Sequence, residues 1–404
     1  MLPVLRALRA QVPDVEVTLM ALTTAHAAAV AAGETPSGFA DFVQLADPAF
    51  AAHWGARLAK GNNNPAVGSV ETAAYLGVNF WDLVQQLGME PAQARYAQKG
   101  RRGFYPVHFF RRLIEHLGPD VVLATNSPRS EQAAIDAAVG LGVPTLSMLD
   151  LFALHSDSYL KRKIYADRMT VLSQITCANL VAAGVPADRI VITGNPAFDE
   201  CMGRTAEAAG RQWRATHGWD DLRVVLWAGQ REPDGAPAPW AGEGLGDMVQ
   251  EQLLRWIDEH PGAGLVVRYH PNDWHRFTPP RPHPRVHWSR PDREALLPVL
   301  AAANDVLVQT STVGLQAAIA GKRVVCLRFS PNVQASTGMD LSRLGLGVGV
   351  DRLQDLPTLL ATPPASTGTR SGQAVLEATG GAAQRVVEVV LDLVGQRAHA
   401  KAVP

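Results

Sequence analysis

Residues 305 to 327, DVLVQTSTVGLQAAIAGKRVVCL, run through an apolar strand, a hydroxyl-rich turn, a short helix and a second apolar strand with no residue to spare. That order commits the chain to a parallel strand, helix, strand unit. Val306, Leu307 and Val308 read as a strand buried on both faces. The apolar run stops at Thr310, Ser311 and Thr312, whose hydroxyls can accept from the free N–H groups of a starting helix. Gly314 follows, and without a Cβ it lets another group approach the backbone closely. Leu315, Ala318 and Ile319 give one apolar helical face, Gly321 is a natural stop, and Arg323 to Leu327 form the next strand. Such a helix starts at the carboxyl end of a strand and aims its partial positive charge and free N–H groups out of the sheet, where a phosphate could sit. An ordinary capped helix would leave the same trace.

The rest of the chain repeats this alternation. Strands are expected at Val15 to Met20, Phe42 to Leu45, Thr145 to Leu149, Arg168 to Leu172, Cys177 to Ala183 and Ile190 to Thr193, with another in PDVVLATN before the turn at Asn126. Residues 55 to 115 interrupt them with a helical excursion. A second set follows at Leu222 to Ala228, Leu265 to Tyr269, Val286 to Trp288, the central pair, and Gly345 to Val350. Residues 229 to 246 are rich in Gly, Pro and Asp and read as a long mobile loop. Residues 361 to 380 read as a linker, and GGAAQRVVEVVLDLVGQR as a last amphipathic helix. The division is therefore 1–200, 201–380 and a C-terminal helix and tail over 381–404, the two large parts being domains of one architectural type. Leu2, Val4, Leu5 and Leu8 sit at helical spacing behind an early proline. A strand normally precedes such a helix, so the first domain is expected to lack its first strand.

Composition excludes several classes. With 404 residues, 47% hydrophobic and 19% charged, the chain can bury two cores. A net charge of −1 gives no general attraction to nucleic acid. Cys177, Cys201 and Cys326 have no CxxC spacing, and no apolar stretch reaches the length of a membrane span. A cytoplasmic protein is expected, with a place at the inner membrane face and a homodimer left open. Only six of the thirty-seven basic residues are lysine, so anion contacts fall to guanidinium groups. His270, His275 and His283 lack metal-ligand spacing, and no metal is expected.

Polar turns follow several strands: GQREPD at 229 to 234, YHPND at 269 to 273, SRPDRE at 289 to 294 and TSTVG at 310 to 314. Strands of one parallel sheet share a direction, so these turns crowd one edge, where open sheets bind ligands. In the first half, TTAH at 23 to 26, TNSPRSE at 125 to 131 and Asp150 with Leu151 and Phe152 form the corresponding edge. His270 is either a donor to a diphosphate or a histidine tied by local hydrogen bonds. Arg129 is a clamp for an anionic acceptor group or a surface residue. Asp150 ends a buried strand, where an unpaired carboxylate is costly; it orients a sugar hydroxyl, acts as base, or is a structural partner. Asn195 and Asp199 read first as turn formers.

TGNPAFDE at 193 to 200, YHPND and DVLVQTSTVGLQAAIAGKRVV together resemble the GT-B glycosyltransferase superfamily, in particular the branch of the non-hydrolysing UDP-N-acetylglucosamine 2-epimerases and the CDP-glycerol glycerophosphotransferases. The resemblance implies an α/β protein of two Rossmann-like domains with a cleft between them, the second holding a nucleotide diphosphate. It assigns His270, Thr310, Ser311, Thr312 and Gly314 to the nucleotide, sets Gln316 where many relatives carry a ribose-gripping glutamate, and places Gly194 and Asn195 near the cleft; Gln230, Arg231, Pro271 and Asn272 join the nucleotide set because their turns share that sheet edge. Where the epimerases carry a Gly-Asp pair this chain has Thr125 and Asn126, and where they carry a His-Glu-Ala-Gly turn it has Met148, Leu149 and Asp150. Epimerisation needs acid and base groups there. The expected activity is therefore transfer from a UDP-linked or CDP-linked sugar to a saccharide or lipid-linked acceptor of a surface polymer, with no cofactor. In that reading Asp150, His26 and His270 carry the chemistry, and Ser127, Arg129 and Asp150 hold the acceptor. Sugar-nucleotide epimerisation, glycerophosphate transfer and non-catalytic nucleotide binding are the alternatives.

Overall fold

A computed structural model of the protein describes residues 1–22, 24–60, 67–154, 157–336, 339–362 and 380–402. The chain forms two compact units, Met1–Pro196 with Gly381–Pro404, and Ala197–Gly380. Thr23 of the TTAH turn and most of the 361 to 380 tract lie outside the described residues.

The first unit opens with helices α1 (Leu2–Gln11) and α2 (Thr24–Ala31), then α3 (Pro48–Ala59), α4 (Ser69–Leu87), α5 (Met89–Lys99) and α6 (Val107–Leu117). Strands and helices then alternate as β1 (Val122–Thr125), α7 (Ser130–Gly140), β2 (Thr145–Met148), β3 (Arg168–Val171), α8 (Gln174–Ala182) and β4 (Ile190–Ile192). The four strands are parallel and ordered β1-β2-β3-β4. In α6, Phe109, Phe110, Leu113 and Ile114 are buried at helical spacing, and Gly118 with φ +60° ends the helix in the left-handed region. Asp82 of α4 is fully buried and accepts the backbone N–H of Phe109 at 2.6 Å, the Gln86 amide at 2.7 Å and a contact from His108 Nδ1 at 3.1 Å. It thereby caps the first turn of α6.

The second unit holds α9 (Gly203–His217), β5 (Arg223–Gly229), α10 (Gly244–Glu259), β6 (Ala263–Tyr269), β7 (Val286–Trp288), α11 (Leu296–Ala302) and β8 (Asp305–Val308), continuing through α12 (Thr312–Ile319), β9 (Arg323–Leu327), α13 (Pro331–Ala335), β10 (Val348–Val350) and α14 (Leu356–Ala361). All six strands are parallel, ordered β10-β9-β8-β5-β6-β7. Counted from its own first strand this is the 6-5-4-1-2-3 order of a doubly wound sheet, and the winding reverses between β5 and β8. Both units are thus Rossmann-like. The sheet is pinned at its amino edge by the fully buried Asp305, which accepts from Arg223 Nε of β5 at 2.7 Å and from Arg323 Nε of β9. The final helix α15 (Ala382–Ala402) belongs to the first unit, where Val386, Val387, Val390 and Leu393 pack with Val4 and Leu8 of α1 and Leu146 and Met148 of β2.

Four expectations from the sequence are corrected. Val15 to Met20 is extended chain held by one bridge, Met20 to Ser37, because Val15 and Val17 are half-buried against the cluster of α1, α15 and β2 rather than on a sheet face. Ala40–Leu45 is a 3-10 helix, so Phe42 to Leu45 is no strand. Cys177 to Ala183 falls mostly in α8, where Thr176 and Leu180 are buried four residues apart. The loop after β5 is tied down rather than mobile: Glu232 N–H donates to the Gly242 carbonyl at 2.8 Å, and Arg231 pairs with Asp234 and, at 2.7 Å, with Glu243. Among the described residues, no helix is long and apolar enough to cross a membrane.

Candidate functional site

In the second unit, the ladder between β5 and β8 ends at the pair Ala228 and Val308, and polar side chains continue it. Gln309 is 1% exposed, and its Oε1 accepts the backbone N–H of Gln230 at 2.8 Å while its Nε2 donates to the Gln230 carbonyl at 3.1 Å. The Gln230 amide then donates to Thr310 Oγ1 at 2.8 Å. This cluster sits at the carboxyl ends of the two strands where the winding reverses, the place where open parallel sheets receive ligands.

Glu232 anchors the same cluster from beneath. It is 2% exposed and accepts from Gln309 Nε2, from the Ser330 hydroxyl and, at 2.8 Å, from the backbone N–H of Asn332. A buried carboxylate survives only with such a set of donors. The Asn332 amide in turn donates to the Arg231 carbonyl at 3.0 Å. The turns after β5, β8 and β9 are therefore one hydrogen-bonded unit.

The turn after β6 joins it through the main chain. His270 N–H donates to the Gly229 carbonyl at 2.9 Å, and His270 Nδ1 lies 3.2 Å from the Asn272 N–H, which donates to it. With Nδ1 committed as acceptor, the neutral ring carries its proton on Nε2, and the half-exposed side chain offers that donor outward. Pro271 and Asn272 are exposed on the same turn.

Helix α12 starts at this edge. Ser311 is its cap, its hydroxyl accepting from Val313 N–H at 3.2 Å and its carbonyl from Gly314 N–H at 3.1 Å. The Ser311 side chain thus serves its own helix, while Thr312 is exposed at the rim. Gly314 has a packing reason: a Cβ there would lie 2.8 Å from both Val308 and Leu341. The close approach foreseen for a ligand is made by the protein's own core. Arg231 is held by Asp234 and Glu243, and Gln316 hydrogen-bonds Cys201.

In the first unit, Asn195 Nδ2 donates to the Asp150 carbonyl at 3.0 Å, and Gly194, φ +78°, donates its N–H to Val171 at 3.1 Å. The Asp150 side chain is exposed, so the costly buried carboxylate expected from its strand is not what forms. His26 is exposed on α2, and Arg129 is exposed ahead of α7. The Ser127 carbonyl accepts from Arg162 Nη2 at 2.7 Å, and that of Asn126 does so at 3.0 Å. Arg162 lies 4.1 Å over the Tyr159 ring and is 8% exposed, and burial lowers its pKa.

Sequence reasoning missed Gln309, Glu232, Ser330, Asn332 and Arg162. Gln309 carried a signal, a polar residue immediately after the apolar run of β8, one position before the turn as read. Glu232 lay inside GQREPD, but nothing local marked it as buried.

No protein-family model matches the chain, and no curated protein does. Solved structures do match. A UDP-GlcNAc 2-epimerase from Methanocaldococcus jannaschii aligns with a TM-score of 0.51 at 14% identity, over 70% of this chain and 80% of that one. A protein assigned as a UDP-N-acetylglucosamine 2-epimerase, from Listeria monocytogenes, aligns at 0.50 and 18% identity, over 70% and 77%. A UDP-GlcNAc 2-epimerase from Neisseria meningitidis, solved with UDP-GlcNAc, gives 0.49 and 17% identity over 71% and 80%. At these identities the likeness speaks for the fold, and the fold is the one that the GT-B resemblance of YHPND and TSTVG implied: two Rossmann-like units of the kind found in UDP-N-acetylglucosamine 2-epimerases.

Proposed function

We propose that the protein is a nucleotide-sugar enzyme whose second unit binds the nucleoside diphosphate, and specifically a glycosyltransferase of surface polysaccharide or glycolipid synthesis. The observation that carries the nucleotide reading is the cluster of Gln230, Gln309 and Thr310 at the reversal between β5 and β8, with His270 on the adjoining turn. Nε2–H of His270, the amino end of α12 and the Thr310 to Thr312 hydroxyls are donors that meet charge on a leaving diphosphate. The His270 ring, Thr310 and Ser311 are held by bonds within the protein, so little reorganisation of these groups accompanies the reaction. On the acceptor side, Ser127, Arg129 and Asp150 would orient the incoming hydroxyl, with Asp150 or His26 as base; inversion at the anomeric carbon follows if either one serves.

Titration calorimetry with UDP, CDP and GDP tests the nucleotide site. At least one should bind, and His270→Ala and Thr310→Ala should each weaken it by about tenfold without unfolding the protein. Unchanged affinity in both variants removes the assignment, and no heat with any nucleotide favours a non-catalytic protein.

A second reading is favoured by the solved structures themselves, which belong to proteins described as UDP-N-acetylglucosamine 2-epimerases. An isomerised nucleotide sugar without acceptor supports that reading. Free nucleotide with a modified acceptor supports transfer.

A further inference from the structure

His217, His287 and Glu294 take no part in the nucleotide cluster, yet they converge on one flank of the second unit. His217 ends α9, His287 is the middle residue of the edge strand β7, and Glu294 precedes α11. One possible ligand atom from each lies within 4.8 Å of the other two, and all three side chains are half-buried. His217 Nδ1 is 2.8 Å from the Trp213 carbonyl, which commits Nδ1–H as a donor and makes Nε2 the lone-pair nitrogen. Glu294 Oε1 accepts from Trp213 Nε1–H at 2.7 Å, and Oε2 lies 3.0 Å from His287 Nε2. Burial pushes the Glu294 carboxyl up, but hydrogen bonds from His287, Ser289 and Trp213 overcome that and bring its pKa to about 2. Trp213 orients two of the three groups, and it is itself fixed: it is 6% exposed, and Gly210 on the same helix brings α9 into backbone contact with Ala301.

A simple histidine and glutamate pair accounts for His287 and Glu294. His217 lies outside that pair: its ring stacks on Trp213 at 3.9 Å and 23°, its tautomer is set by the Trp213 carbonyl, and it meets the His287 ring at 4.6 Å and 70°, which leaves its Nε2 as the third possible ligand atom. A histidine with one nitrogen tied to a carbonyl and the other presenting a lone pair is the usual arrangement around a metal.

We infer that His217, His287 and Glu294 form a binding site for a divalent transition-metal ion of the zinc class, with water completing the coordination. Two imidazoles and one carboxylate suit zinc, cobalt or nickel better than calcium or magnesium. For Nε2 of His287 to bind the metal, a neutral ring shifts its proton from Nε2 to Nδ1 by exchange with solvent, and a doubly protonated ring gives one proton up to solvent, so that a neutral imidazole is the ligand in either case. The ligands close in from their present separation by side-chain rotation, and the ion ties the end of α9 to the edge strand. Arg268 Nη1 donates to Ser289 at 2.7 Å, and its positive charge close to Glu294 sets an upper limit on affinity.

The test uses the full chain, treated with chelator and titrated with Zn²⁺ by calorimetry and with Co²⁺ by visible absorption and tryptophan quenching. One ion per chain is expected, bound more tightly at about pH 7.5 than at about pH 6. His217→Gln and Glu294→Gln should each weaken binding by at least about tenfold with unchanged far-UV circular dichroism, while His53→Gln, at an exposed position of α3 in the first unit, binds as the parent. Absence of saturable binding by either ion, or affinity retained in either His217→Gln or Glu294→Gln, overturns the site.

Discussion

Gln309 and Gln230 hold each other across the reversal of the second sheet, the Gln309 amide giving to and receiving from the Gln230 main chain at 3.1 Å and 2.8 Å. The β5 and β8 ladder stops one step earlier, so a side chain copies the next rung. The same amide supplies a donor to the buried Glu232.

Removing Gln309 therefore strips three hydrogen bonds and leaves Glu232 short of a donor. Gln309→Ala should lower stability by about 3 kcal/mol and weaken nucleotide binding through the displaced Gln230 and Thr310. Gln309→Glu should cost more, because it sets a second carboxylate against Glu232. Denaturant melts with parallel nucleotide titrations measure both, and a stable Gln309→Glu variant would contradict the network.

Asp305 is the only acid joining Arg223 and Arg323 among the described residues, and each arginine also grips a backbone carbonyl, Leu360 at 2.6 Å and Thr362 at 2.8 Å. Asp305→Ala leaves two guanidinium groups without their charge partner and should cost about 3–5 kcal/mol. Replacing all three residues together by apolar side chains of similar size should cost much less, because no charge is then stranded. Equal losses in the single and triple variants would remove the ion pairs from the explanation.

Where the sheet is buried on both faces, the sequence was easy to read. Val224 to Ala228 and Val306 to Val308 are unbroken apolar runs, and such runs have few alternatives once helices flank them. Val15, Val17 and Leu19 also alternate as a strand does, but Val15 and Val17 pack against two helices and β2, so the pattern formed without a ladder. The site followed the same division. His270 and Thr310 were legible because they end strands, whereas Glu232 and Gln309 are buried polar residues whose partners come from turns about 80 to 100 residues away, which no local pattern encodes. Gly314 was legible as a glycine, but packing on Val308, not a ligand, is what requires it.

Helix α4 crosses α3 at two glycines, and a Cβ on Gly77 would fall 1.9 Å from the Ala51 carbonyl. Alanine is the better helix former by about 1 kcal/mol, yet the clash is with backbone that cannot step aside, so Gly77→Ala should be net destabilising by about 2–3 kcal/mol. Gly140, the last residue of α7, meets nothing within 4 Å, and Gly140→Ala should stabilise by about 0.5–1 kcal/mol. Opposite signs for these two substitutions in the same thermal assay are the expected result.

Asp82 supplies a pH dependence whose sign is fixed by its surroundings. Burial raises its pKa above the ordinary 3.8, although the donors Gln86, Phe109 and His108 pull the other way. The native chain therefore holds this proton more tightly than the unfolded chain does. The stability it contributes is complete below about pH 3.8 and is lost as pH rises through the raised native value. Asp82→Asn keeps a carbonyl oxygen for the Phe109 N–H but cannot ionise. The difference in unfolding free energy, parent minus variant, should fall as pH rises from about 4, with a slope no steeper than about 1.4 kcal/mol per pH unit. Denaturant titrations of both proteins between about pH 4 and pH 8 measure it. A difference that stays constant, or grows with pH, would mean that the donors outweigh burial and that Asp82 is charged throughout as the cap of α6.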